Sequence, residues 1–201
     1  MAARGVFVVL EGGDGCGKST QARILCSRLR DGGREVVRTR EPGATEAGAG
    51  IRALVLGGGQ LVPRAEALLI AADRAQHVAE VVRPALARGA VVVSDRYVPS
   101  SLAYQGVARG LGVDEIARLS EWATGGLQPD LVLVLDVDPG EAAARRAGPQ
   151  DRMEREPDSF RAQVNQAYRD LSGRNGWTLL DGSAPIEVVA DRIWAAVRPL
   201  I

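Results

Sequence analysis

The 201-residue sequence predicts an α/β fold of three layers, a five-stranded parallel sheet flanked by helices, as a single domain over residues 1–201. Three observations point there. Short apolar runs recur along the chain, helix-period segments separate them, and a glycine-rich loop joins the first run to the first helix. Runs that are apolar throughout suit strands covered on both faces, the condition of a parallel sheet between helix layers. Strict strand–helix alternation then implies right-handed crossovers.

Taken in order, the strands are expected at Val6–Leu10, Glu35–Thr39, Ala90–Ser94, Leu131–Val137 and Trp177–Asp181. Helices are expected at Thr20–Arg30, Glu46–Leu56, Arg64–Arg88, Val113–Thr124, Ser159–Leu171 and Ile186–Val197. Gly57-Gly58-Gly59 reads as the loop that ends the second helix. No repeat, low-complexity tail or dividing linker interrupts the pattern. In such sheets ligands sit beyond the carboxyl ends of the strands. Segments that follow strands directly are therefore the places to look for chemistry.

The first of these is Gly12-Gly13-Asp14-Gly15-Cys16-Gly17-Lys18-Ser19-Thr20. It fits G-x-x-x-x-G-K-[ST], the P-loop, in the strand–loop–helix setting that the motif requires. Glycines let successive N–H groups turn inward as an anion nest, and the helix N-terminus adds partial positive charge. Lys18 is the only lysine; the other 24 basic side chains are arginines. A compact, flexible ammonium is what a β- or γ-phosphate at this position needs, and Ser19 can ligate Mg²⁺. ATP and Mg²⁺ are the expected cofactors. Cys16 reads most simply as a small filler in the loop.

Bulk composition narrows the partners. Twenty-five acidic side chains balance the 25 basic ones, so no global field draws nucleic acid or an anionic membrane. Two cysteines make no disulfide framework and suit a reducing cytoplasm. The N-terminal apolar run is too short for a signal peptide or a membrane span.

Two further clusters follow strands. Thr39-Arg40-Glu41-Pro42-Gly43 follows the second, and Asp95-Arg96-Tyr97 follows the third and leads into Pro99–Gly106. An aspartate opposite a P-loop can hold Mg²⁺ or its water shell, and the neighbouring arginine can clamp a phosphate.

With Asp73-Arg74-Ala75 and Asp151-Arg152-Met153-Glu154, these segments together resemble thymidylate kinases, P-loop enzymes that phosphorylate dTMP to dTDP. The resemblance runs along almost the whole chain, and the Asp-Arg-Tyr…Ala-Tyr-Gln-Gly stretch is its most restrictive part. It implies that Arg40 and Arg96 grip the acceptor phosphate, with Glu41 and Arg52 beside them. It implies that Asp14 faces the sugar 3′-hydroxyl, Tyr104 lies against the sugar, and Arg74, Ser101 and Gln105 read the base. Ser101 and Gln105 are four apart and share a helix face.

Two departures stand out. Where the family usually carries an aromatic platform, this chain has Ile70, which offers dispersion but no π-face. A shifted pyrimidine preference is the alternative that this leaves open. Gly15 stands where some members place a catalytic arginine inside the loop. The charge is then expected from a lid at about 145–157, with Arg152 first and Arg146 or Arg145 next.

His77 has no sequence partner and reads as a surface or interface residue; Trp122, Trp177 and Trp194 read as core anchors. The resemblance also implies a homodimer, to which Glu66–Val82 is expected to contribute. A P-loop switch module and a catalytically silent relative are the readings from other classes. Against the switch, the acceptor-side Arg40, Arg74 and Arg96 would have no work to do; against the silent relative, Lys18, Ser19, Asp95 and Arg96 are intact.

Overall fold

The computed structural model describes residues 4–57, 59–145 and 150–201. Five strands form one sheet: β1 (Phe7–Glu11), β2 (Val36–Arg40), β3 (Val91–Asp95), β4 (Leu131–Asp136) and β5 (Thr178–Asp181). They are all parallel, in the order β2-β3-β1-β4-β5. Each expected strand is present, with no end displaced by more than one residue.

Alternate side chains leave a strand on opposite faces, and here both faces are dry. Phe7 and Val9 of β1 pack with Val92, Val132 and Val134 against one helix layer. Val8 and Leu10 pack with Val91, Val93, Leu133 and Leu135 against the other. The second layer is α1 (Lys18–Asp31) and α9 (Ile186–Val197), which contribute Leu25, Leu29, Ile193 and Val197. The first layer includes α8 (Asp158–Asn175), which contributes Phe160, Val164, Tyr168 and Leu171.

The long helix expected at Arg64–Arg88 is modified. It runs as α3 (Pro63–His77), a π-helical turn at Val78–Val82, and α4 (Arg83–Ala87). Pro84 supplies the cause. It lacks an N–H, and its ring would strike the carbonyl of residue 80 in a regular ladder. The Arg83 N–H bonds instead to the Val78 carbonyl, five residues back.

The segment after β3 is also irregular: α5 (Val98–Ser101) continues as a π-helical stretch, Leu102–Ala108. The remaining helices are α2 (Glu46–Leu56), α6 (Val113–Thr124) and α7 (Pro139–Ala144). α7 was not anticipated. Asp138 caps it by accepting from the Gly140 and Glu141 N–H groups. Among the described residues, no helix is long and apolar enough to cross a membrane.

Trp122 contradicts the expectation of a core anchor, since it is 83 % exposed on α6; Trp177 and Trp194 are partly buried against the two cores.

Candidate active site

Register brings the chemistry together. Leu10 and Arg40 both pair with Asp95, so the loop after β1 and the ends of β2 and β3 open side by side. Gly12 and Gly17 take φ of +131° and +98°, which L side chains rarely adopt. A Cβ on Gly12 would also lie 2.4 Å from the Leu135 carbonyl oxygen.

Lys18 folds back across this loop, and its Nζ donates to the Gly12 and Gly13 carbonyls at 3.0 and 2.8 Å. Ser19 Oγ donates to Asp95 Oδ2 at 2.6 Å, which joins the two side chains expected to hold Mg²⁺. A cleft of about 800 Å³ lies over them, lined by Asp14–Gln21 and by Arg40, Arg52, Asp95, Arg96 and Arg145. Gly15 and Thr20 line this cleft too. Cys16 is buried, with its Sγ 3.6 Å from Lys18 Nζ.

Arg96 is the hub between the P-loop and the rest of the site. Its φ of +75° is rare for a residue with a Cβ, and strain of this kind persists only where surrounding contacts enforce it. One guanidinium nitrogen donates to Asp14 Oδ1 at 2.5 Å. The other donates to the Gly12 carbonyl at 3.1 Å and to Ser100 Oγ at 3.0 Å, and Tyr104 lies beneath, 5.2 Å to the ring centre.

Burial opposes ionisation of Asp14, but Arg96 and then Lys18 hold its carboxyl below the ordinary range. Burial, and then the charge of Arg40, hold the Arg52 guanidinium below its usual value.

Behind Arg96 stands Glu11, which the sequence did not single out. It is fully buried and accepts from Tyr97 N at 2.8 Å, Ser100 Oγ at 2.6 Å and Tyr168 OH at 2.8 Å. Burial raises its pKa, and Arg96 is the strongest opposing influence.

Next to the cleft lies a second cavity, lined by Asp14, Arg52, Ile70, Arg74, Ser101, Tyr104 and Gln105 among others. The residues expected around the sugar and base thus line one cavity. Tyr104 serves two purposes at once: its OH donates to Asp14 Oδ2 at 3.1 Å, and its ring packs edge-on to Phe160 and Tyr168.

Arg74 is 1 % exposed, and its guanidinium is already committed. It donates to Glu41 Oε2 at 2.8 Å, Ser101 Oγ at 3.0 Å and the Tyr97 carbonyl at 3.0 Å. Glu41 is itself buried, and its other oxygen lies 2.7 Å from His77 Nδ1. Glu41 lines both the cleft and this cavity, with its two carboxylate oxygens engaged by Arg74 and His77.

His77 is a correction too. It is fully buried, with Nε2 2.7 Å from Thr39 Oγ1, and so lies on neither a surface nor an interface. Spacing carried a signal for this network: Glu66, Ile70, Arg74 and His77 fall four, four and three apart, on one face of α3.

Comparison with known proteins agrees with the geometry. The family described as Thymidylate kinase matches residues 10–193. A curated protein of Leifsonia xyli subsp. xyli, named Thymidylate kinase, is 53% identical over 94% of this chain and 92% of its own. Proteins of the same name from Bifidobacterium longum (strain NCC 2705) and Synechococcus sp. (strain JA-3-3Ab) are 50% and 46% identical over 96% of both chains. The chain belongs to the thymidylate kinase family.

In this thymidylate kinase family member, the arginines expected to act from a lid divide. Arg146 lies outside the described residues. Arg145 lines the P-loop cleft and donates to the Gly182 carbonyl at 3.0 Å and to Glu141 at 2.5 Å. Arg152 does not lie over the P-loop. Its guanidinium donates to the Val55 carbonyl at 2.7 Å and to Glu66 Oε2 at 2.6 Å, so it ties residues 150–156 down over the acceptor side. The physical reason is Glu66, a buried carboxylate that draws any arginine within reach.

Proposed function

We propose that this chain transfers the γ-phosphoryl group of ATP to dTMP, giving dTDP for dTTP synthesis. The observation that carries this reading is the pairing of two anion sites across one cleft. Lys18 and the P-loop nest line the same cleft as Arg40, Arg52 and Arg96. A nucleoside triphosphate on the first and a nucleoside monophosphate on the second would meet phosphate to phosphate.

The roles follow from charge. Lys18 covers the β- and γ-phosphates; Arg96 and Arg40 hold the acceptor phosphate, which is largely a dianion at pH 7 because its second pKa is near ~6. The acceptor is already a nucleophile, and no general base is assigned. Catalysis is positioning and charge neutralisation along the line of transfer. Arg145 lines the donor-side cleft, and Arg152 acts from the acceptor side. Asp14 would take the sugar 3′-hydroxyl while keeping Arg96 in place.

Mg²⁺ fits these donors. Ser19 and Asp95 offer hard oxygens 2.6 Å apart, and no group of three or more His, Cys, Asp or Glu side chains forms a metal cage among the described residues. A hydroxyl and one carboxylate are what a protein contributes when phosphates and water complete the shell. When bound, the ion neutralises charge on the β- and γ-oxygens.

A cytoplasmic homodimer is part of the proposal. Both cysteines are free, and the packed pair α3 and α6 leaves Leu68 59 % and Trp122 83 % exposed, apolar area suited to a second copy.

Ile70 in the cavity wall favours one further reading, a kinase for another pyrimidine monophosphate. The test is ADP formation from Mg-ATP with dTMP, dUMP, dCMP, dGMP and UMP added separately. Strong preference for dTMP is expected. Preference for another monophosphate moves the substrate, and turnover indifferent to all five replaces the kinase by a nucleotide switch.

A further inference from the structure

Glu66, on α3, is fully buried, yet four donors reach its carboxylate. Oε1 accepts from Gln105 Nε2 at 2.7 Å and from Arg109 Nε at 3.3 Å. Oε2 accepts from Arg109 Nη2 at 3.1 Å and from Arg152 Nη2 at 2.6 Å. Burial works against its charge, but the Gln105, Arg109 and Arg152 hydrogen bonds more than offset this and lower its pKa. Glu66 is therefore an ionised carboxylate, and an ionised carboxylate only accepts.

That fixes something about Gln105 which the side chain cannot fix alone. A glutamine amide is a donor at one end and an acceptor at the other, and rotation by half a turn exchanges them. With Glu66 beside it, the NH₂ end must face the carboxylate. The carbonyl Oε1 is then the end left for the cavity that Gln105 lines with Ser101, Arg74 and Ile70.

We infer that Glu66 is a specificity-determining positioning residue: by setting the direction of the Gln105 amide, it makes the cavity wall an acceptor, which selects bases with a ring N–H, thymine or uracil, over cytosine. Cytosine presents a lone pair at the same ring position, so two acceptors would oppose each other. The inference rests on the reading of this cavity as the site of a pyrimidine monophosphate.

The test is Glu66→Gln, which keeps shape and removes charge. Arg152 and Arg109 donate to the Oε2 position at 2.6 and 3.1 Å, against a single longer arginine contact of 3.3 Å at Oε1, so the new amide oxygen settles at Oε2 and its NH₂ occupies the Oε1 position. Gln105 must then turn its carbonyl toward that NH₂ and its own NH₂ toward the cavity. The ratio of kcat/KM for dTMP to that for dCMP is expected to fall at least about tenfold, the scale of one mispaired buried polar group.

In a Gln105→Leu background, Glu66→Gln should leave that ratio where Gln105→Leu set it, because the effect passes through the amide. A purely structural role for Glu66 would depress both substrates alike. An unchanged ratio in folded Glu66→Gln, or the same fall in the Gln105→Leu background, overturns the inference.

Should the variant not fold, the wild-type protein carries the test with dTMP methylated at ring N3. Loss of at least about tenfold in kcat/KM is expected, and turnover equal to that of dTMP overturns the acceptor assignment. Failure of the wild-type protein to use dTMP at all would instead remove the underlying function.

Discussion

The donor and acceptor halves of the cleft are built in opposite ways. The proposed donor half is one continuous segment, the loop after β1 and the first turn of α1, whose key side chain, Lys18, is held by carbonyls of that loop. The acceptor half is assembled from the ends of β2 and β3, from α2 and α3, and from residues 150–153. Buried polar groups tie these pieces to one another: Glu41 to Arg74 and His77, Glu66 to Gln105 and Arg152. Damage to the first half should cost rate alone. Damage to the second should cost stability as well, because its side chains are part of the core.

Arg74→Met is the strongest probe of that contrast. It leaves Glu41 buried with one of its two oxygens deprived of a cation, and breaking such a pair typically costs about 3–5 kcal/mol. A urea midpoint lowered by the corresponding amount is expected. A loss below about 1 kcal/mol would mean that His77 alone satisfies Glu41. Lys18→Ala is the counterpart: kcat should fall about 10²–10³-fold or more, with the urea midpoint moved by no more than about 1 kcal/mol. If Lys18→Ala unfolds the protein as readily as Arg74→Met, the two halves are not built differently after all.

Asp73 sharpens the comparison through pH. Burial, aided by Glu41, pushes its carboxyl up to about 6 against the pull of the Gly43 N–H, His77 and Arg74. Its Oδ1 accepts from Gly43 N at 2.8 Å, and Oδ2 has no partner among the described residues. A carboxyl whose pKa is higher folded than unfolded binds more protons in the folded state between the two values. Stability therefore falls as pH rises from about 4 to about 6, and the penalty is complete above that.

Asp73→Asn keeps the Gly43 contact and removes the charge. Relative to wild type it should gain about 1–3 kcal/mol at pH 8, and the advantage should vanish by pH 4. Urea unfolding at the two pH values measures both. Parallel curves would show that Asp73 ionises without cost.

How far the sequence carried this picture tracks the same division. The P-loop was legible because its chemistry is local: a glycine at each strained φ and a lysine at the helix start. The sheet was legible because strands dry on both faces, such as Val91–Val93, leave no polar period. Arg152 was misplaced because nothing near it in sequence announces Glu66, 86 residues away, as its partner. His77 looked unpartnered for the same reason, since Thr39 and Glu41 come from another strand end. Trp122 looked like core because size suggests burial, but α6 turns that face outward. Long-range polar pairing is a property of topology, and single-residue chemistry does not encode it.

Ile70→Phe probes the smallest expected effect. Ile70 lines the acceptor cavity, four residues before Arg74 and so one turn away on the same helix face. An aromatic ring there would supply the π-face that the aliphatic side chain lacks, worth about 1–3 kcal/mol per stacked base where such platforms have been truncated. The gain should stand at the lower end, since Ile70 already contributes dispersion. The Kd for dTMP, measured by calorimetry without ATP, should fall about fivefold or slightly more, a change of about 1 kcal/mol. Because stacking ignores base identity, the Kd values for dUMP and dCMP should fall by the same factor, and the order of preference should stay as Gln105 sets it. If Ile70→Phe reorders the three pyrimidines instead, shape at residue 70 helps choose the base, and the polar wall of the acceptor half does not act alone.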